Sequence, residues 1–147
     1  MNRRMRILIL VVFAMALVAP PALAGDNFIV VVHENNPVDA MDRKEISKLF
    51  LKLKSRSSTG AETVPIDLDE SSPTREAFCR AVHNRSIKAV KYYFQKRRFA
   101  VGGAAPGQAT SETNLLRFIA GNEMAIGYVS ANTDIEAFPV KVIRITD

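Results

Sequence analysis

The chain predicts an α/β fold, a mixed sheet flanked by helices, and three observations point there. Two runs, "NFIVVVHE" (Asn27–Glu34) and "AIGYVS" (Ala125–Ser130), are apolar without alternation, as strands buried on both faces are. Between them lie four segments whose apolar residues recur at helical spacing, three of them opened by a capping side chain, Asp42, Ser72 or Ser111. The resulting order, β-α-β-α-α-α-β-β, has no internal repeat and implies layers packed around one core.

The N-terminus comes first in the chain and is set apart. Arg3, Arg4 and Arg6 precede an apolar run from Ile7 to Val18, and Ala22-Leu23-Ala24 stands before Gly25. This is the layout of a cleaved secretory leader over residues 1–24. The apolar run is 12 residues long, short of the roughly 20 that a spanning helix needs, so no stable membrane span is expected after cleavage. Residues 25–147 are then expected to form a single domain in an exported compartment.

After the first strand, "NNPVDAM" reads as a turn. Asp42 and Glu45 form a D-x-x-E capping box, with Met41 and Ile46 at the flanking apolar positions. Ile46, Leu49, Phe50 and Leu53 follow as the buried face of that helix. "KSRSSTGAE" is a polar loop, and "TVPIDL" (Thr63–Leu68) alternates like a half-buried strand. Ser72 at the N-cap and Pro73 at the first helical position open a second helix that buries Ala77, Phe78, Ala81 and Val82. "SIKAVKYYFQKRRF" (Ser86–Phe99) is a third helix with Ile87, Val90 and Phe94 inward. Its Lys96-Arg97-Arg98 run lies at the C-terminal end, where cations complement the macrodipole. "AVGGAAPGQATS" reads as a flexible loop. A fourth helix follows Ser111, with Leu115, Phe118 and Ile119 inward and Gly121 at its end. "FPVKVIRI" (Phe138–Ile145) completes the sheet.

Charge and titratable residues exclude several functions. Loss of the leader removes three arginines from 20 Lys+Arg against 15 Asp+Glu, and the net charge falls from +5 to about +2, which gives no footing for nucleic-acid binding. Cys79 is the one cysteine, so no internal disulfide forms; its helical position marks it as a small buried residue. His33 and His83 stand far apart, without zinc spacing and without a partner for nucleophilic catalysis. They read as surface or capping residues. No cofactor, metal or enzymatic site is expected.

"DLDESSPTREAF" (Asp67–Phe78) is where the sequence suggests a ligand. A helix start with free N–H groups and hydroxyls can hold an anion, and Ser71, Ser72, Thr74 and the cation Arg75 are the candidate ligand residues. Several stretches together also resemble one family. "IVVVHENNPVDAMDRKEISKLFL" is similar to the strand, Asn-Pro and helix of bacterial phosphate-type periplasmic substrate-binding proteins. "SSPTREAF" resembles that family's Ser-Gly-Thr helix start, "GNEMAIGYVS" its Pro-Gly-Ala-Ile-Gly-Tyr-Val strand, and "YYFQKRRFAVGG" the helix and Phe-x-Gly loop of its short members.

The resemblance implies a single lobe of the type 2 periplasmic-binding kind, with a phosphate-like oxyanion gripped at Ser71, Ser72 and Thr74 for an ABC transporter. Three departures accompany it. Pro73 replaces the motif's glycine and removes an N–H; Leu68 stands where the family has an arginine; and full-length members have two lobes. Asp67, Asp69 and Glu70 add negative charge beside the site. A helix start favours an anion by about 0.3–1 kcal/mol when exposed and up to about 2 when partly buried, whereas micromolar binding needs about 8 kcal/mol. A lone lobe is therefore expected to bind phosphate in the millimolar range or more weakly. The alternative is a one-lobe interaction or sensor module for a periplasmic partner, with high-affinity anion binding lost.

Overall fold

A computed structural model describes residues 26–147, and the expected leader at 1–24 lies outside the described residues. Six strands form one mixed sheet: β1 (Phe28–His33), β2 (Ala40–Asp42), β3 (Val64–Leu68), β4 (Gly107–Ala109), β5 (Ala125–Ser130) and β6 (Val140–Thr146), in the order β2-β6-β1-β5-β3-β4. β1 lies antiparallel to both β5 and β6, with Val30 opposite Tyr128 on one side and Ile143 on the other. The β2–β6, β3–β5 and β3–β4 pairs are parallel. This is the predicted mixed α/β architecture.

Two strands escaped the sequence pattern. β2 straddles the end of the turn segment and the cap Asp42, and β4 lies within the segment expected to be a flexible loop. Each is three residues long, too short for periodicity to mark. β3 also differs from expectation: it is buried from Pro65 to Leu68 rather than alternating, because it lies between β5 and β4 and is covered on both faces.

Helices α1 (Arg43–Phe50), α2 (Pro73–Phe78), α3 (Ile87–Val101) and α4 (Glu112–Ala120) sit outside the sheet, and α2 runs directly into one π-helical turn, Cys79–His83. Tyr128 of β5 stacks on Phe78 of α2 at 3.8 Å between ring centroids, and Phe50 of α1 lies 4.8 Å from Phe78. α1 and α2 therefore cover one face. The neighbouring β5 residue, Gly127, points the other way: a Cβ there would lie 2.7 Å from Leu115 Cδ2 and 3.1 Å from Ile119 Cδ1. That near-contact brings α4 down onto the opposite face. Val30, Val31, Leu68, Leu116 and Ile126 fill the interior between the layers.

Capping chemistry placed the helix starts correctly. Asp42 accepts from the Lys44 and Glu45 N–H groups, Ser72 from Arg75 N–H, and Ser111 from Asn114 N–H. Ends were less legible. α1 stops at Phe50, and Lys52 takes φ 57°, so Leu53 swings out to 57% exposure instead of joining the buried face. Phe118 is 40% exposed, and Leu116 takes the inward position. Gly121 ends α4 at φ −93° rather than left-handed. Both histidines are buried, contrary to a surface reading. His33 Nδ1 accepts from Asn35 N–H, and His83 Nδ1 meets Ser47 Oγ at 2.8 Å across the α1–π-turn seam. Cys79 is buried as expected, and burial pushes its thiol up to about 11.

Candidate functional site

Parallel pairing of β3 and β4 sends both strands out at the same edge, and each is followed by a helix start: α2 after β3, α4 after β4. In open α/β sheets the carboxyl ends of strands are where ligands bind. Here the two starts border a cavity of about 320 Å³ lined by Asp69, Ser72, Thr74, Thr110, Ser111 and Glu112 among others. That is well above the roughly 10–15 Å³ that a single water needs.

The candidate residues fare differently around it. Ser72 caps α2: its Oγ accepts the Arg75 N–H at 3.2 Å, which leaves its O–H to donate. Ser71 gives both its N–H and its hydroxyl to Asp69 Oδ1, at 2.8 and 2.6 Å. Those bonds hold the Asp69 carboxyl below its usual range, so it is ionised at neutral pH. Thr74 donates to Glu112 Oε1 at 2.8 Å. Glu112 also accepts from Ser130 N–H at 2.9 Å and from the Thr133 hydroxyl. The structure thus brings Ser71, Ser72 and Thr74 together on one cavity, with two of the three hydroxyls already turned to carboxylates.

Arg75 turns away from this cavity. It is 4% exposed, donates from a guanidinium nitrogen to Leu68 O at 2.8 Å, and lies 3.9 Å from Asp67 Oδ2. Asp67 in turn accepts from Tyr128 Oη at 2.7 Å. Burial raises the Asp67 carboxyl above its ordinary range, against the pull of Arg75 and the tyrosine hydrogen bond. Asp67 is therefore part of a buried Arg-Asp-Tyr network, not charge beside the cavity. Arg75 acts as a strut between the first turn of α2 and the end of β3.

Sequence reasoning missed half of the cavity wall. The sequence marks Ser111 as a cap and Thr110 as loop, yet both accept from Asn114, at 3.1 and 2.9 Å, and retain an O–H to donate. A signal was present: "TSE" (Thr110–Glu112) repeats the hydroxyl pair before a helix seen at Ser71-Ser72. Its relation to the first pair depends on the β3–β4 pairing, which the sequence pattern did not reveal. Glu112 was missed for the same reason.

No protein-family model and no curated protein matches the chain. Solved structures do. The chain is similar to a protein from Clostridium perfringens assigned as a phosphate ABC transporter substrate-binding protein, with bound phosphate, at TM-score 0.62 and 21% identity over 82% of this chain and 45% of that one. An ABC-type phosphate transport receptor from Vibrio cholerae matches at TM-score 0.61 and 17% identity over 82% and 46% of the two chains. PstS from Borrelia burgdorferi matches at 0.63 and 12% over 82% and 47%. The described fold is thus of the periplasmic-binding class. The likeness is one of fold, and the chain spans less than half the length of each of these three structures. The first of these is described as a substrate-binding protein and the second as a transport receptor. Among the described residues no helix is long and apolar enough to cross a membrane, and no cluster of potential metal ligands occurs.

Proposed function

We propose that this chain is a periplasmic solute-binding lobe that holds a small, proton-bearing oxyanion, hydrogen phosphate or a close analogue, in the cavity between the starts of α2 and α4, in the service of an ABC transporter. The observation that carries this reading is the convergence of two helix starts and three donor hydroxyls, Ser72, Thr110 and Ser111, on one open cavity. Helix N-termini attract anions through their unpaired N–H groups and dipoles. The phosphate bound in one neighbour of the same fold supports the choice of ligand.

The carboxylates refine the chemistry. Asp69 and Glu112 repel a fully deprotonated anion but can accept a hydrogen bond from one that carries an O–H. Hydrogen phosphate has that proton at neutral pH and sulfate does not. Two helix starts at up to about 2 kcal/mol each fall well short of the roughly 8 kcal/mol of micromolar affinity, so binding is millimolar unless a second lobe closes over the ligand.

Calorimetric titration with phosphate and with sulfate tests this. Phosphate is expected to bind in the millimolar range and sulfate more weakly, and Asp69→Asn to narrow the gap. Ser72→Ala should weaken phosphate while costing about 1 kcal/mol of stability as a lost cap. Absence of both heat and melting-temperature shift with phosphate at tens of millimolar would remove the reading.

One specific observation favours a second reading. The Ser71 and Thr74 hydroxyls are already satisfied by Asp69 and Glu112, as they would be in a lobe retained for contact with a periplasmic partner or as a sensor input. Sedimentation separates the two: a strictly monomeric, phosphate-binding protein counts against the partner module.

A further inference from the structure

A second cavity, of about 240 Å³, lies on the other side of the α2 start, between α3 and the segment that returns to β4. Its wall on that side is set by backbone: Gly102 and Gly103 take φ +69° and +105°, a region that other residues enter only with strain. Buried Pro106 and the pairing of β4 with β3 then fix the far end of the segment. The floor is apolar and the rim cationic. Phe94, half-buried against Leu51, Cys79 and Val90, and Ala104 supply the apolar surface.

Charge on this rim is unevenly compensated. Lys91 is paired with Glu70 at 3.1 Å, and Arg75 reaches the cavity from below with its charge set against Asp67. Arg75 Nε is the one buried side-chain nitrogen without a hydrogen-bond partner among the described residues. Arg98 makes no ion pair among those residues. No acidic residue occurs anywhere in α3, which carries Lys88, Lys91, Lys96, Arg97 and Arg98. The cavity therefore has an apolar floor, a free guanidinium at its mouth and a second cation that an incoming anion can share with Glu70.

We propose that this cavity binds a small carboxylate whose apolar body is larger than a methyl group, an aryl acid above all. The carboxylate pairs with Arg98 and Lys91, and the hydrocarbon lies on Phe94 and Ala104. The arrangement differs from the α2–α4 cavity, whose lining is hydroxyl and carboxylate, so the two sites select different anions. An ion without hydrocarbon leaves the apolar floor wet; a neutral aromatic leaves Arg98 unpaired.

Benzoate is the probe, with acetate and benzamide as controls and amide chemical shifts of the full chain as the readout. Benzoate is expected to shift resonances of Phe94, Arg98 and Gly103 and to bind more tightly than either control. Arg98→Ala should weaken it by roughly tenfold or more, the loss of one charged hydrogen bond. Ala104→Leu should block the cavity without altering charge. Both positions are exposed, so both variants keep the native shift pattern elsewhere. Equal affinity for benzoate and acetate, unchanged binding in Arg98→Ala, or shifts confined to Ser72 and Ser111 would overturn the proposal. Phosphate titrated into the same Arg98→Ala sample should bind as in the parent, so failure of one site is read separately from failure of the other.

Discussion

His83 shows how one buried side chain sets a pH dependence. It is 8% exposed and joins the π turn to Ser47 of α1. Burial first, then the charges of Arg85 and Arg75, lower its pKa to about 4, against about 6.5 in an unfolded chain. Between those values the unfolded chain binds a proton that the native state does not, so this contribution to stability is full above about pH 6.5 and is lost as pH falls toward 4. At 1.36 kcal/mol per unit the loss is about 3 kcal/mol. Asp67 works in the opposite sense: its raised carboxyl adds stability that is full below the unfolded carboxylate range and is lost as pH rises from there through its own raised pKa. The expected outcome is therefore a difference between proteins. The urea midpoint of His83→Asn should fall less between pH 6.5 and 4 than that of the parent; parallel curves would show that His83 does not carry the effect. Nothing local in "RAVHNR" announced this burial, because it depends on where α1 lies.

Elements were legible to the degree that their chemistry is local. Ser72 and Ser111 cap helices through bonds to a residue three positions on, so the sequence contained both partners. β2 and β4 exist because β6 and β3 offer them a ladder, and three residues show no pattern of their own. The direction of Arg75 was equally hidden: whether it met an anion or Leu68 O depended on how closely α2 packs against β3. Packing of α4 on the sheet is the most exacting of these contacts. Gly127→Ala would press a methyl into Leu115, Ile119 and Ile66, with the nearest approach at 2.7 Å. Overpacking of that kind costs about 1–3 kcal/mol. Thermal denaturation should show a lowered melting temperature, whereas an unchanged value would mean that Leu115 moves aside freely.

Across the whole molecule, strands from both ends of the described chain meet in the middle of the sheet: β1 lies between β5 and β6. Helices from both faces share the same interior. Scanning calorimetry should therefore give one cooperative transition, with calorimetric and van't Hoff enthalpies equal; two resolved transitions would divide the chain where this sheet joins it. The resemblance in sequence and the likeness in structure agree on the fold, and both leave the ligand to chemistry at the β3–β4 edge. The outermost strands, β2 and β4, have a further effect. Each has an edge only three residues long, and the part of β3 that β4 leaves unpaired contains Pro65, which has no N–H to give. Borders so brief make poor templates for stacking copy on copy. Neither fibre growth nor strand exchange is then an easy path at high concentration, and any companion must dock through helices and loops.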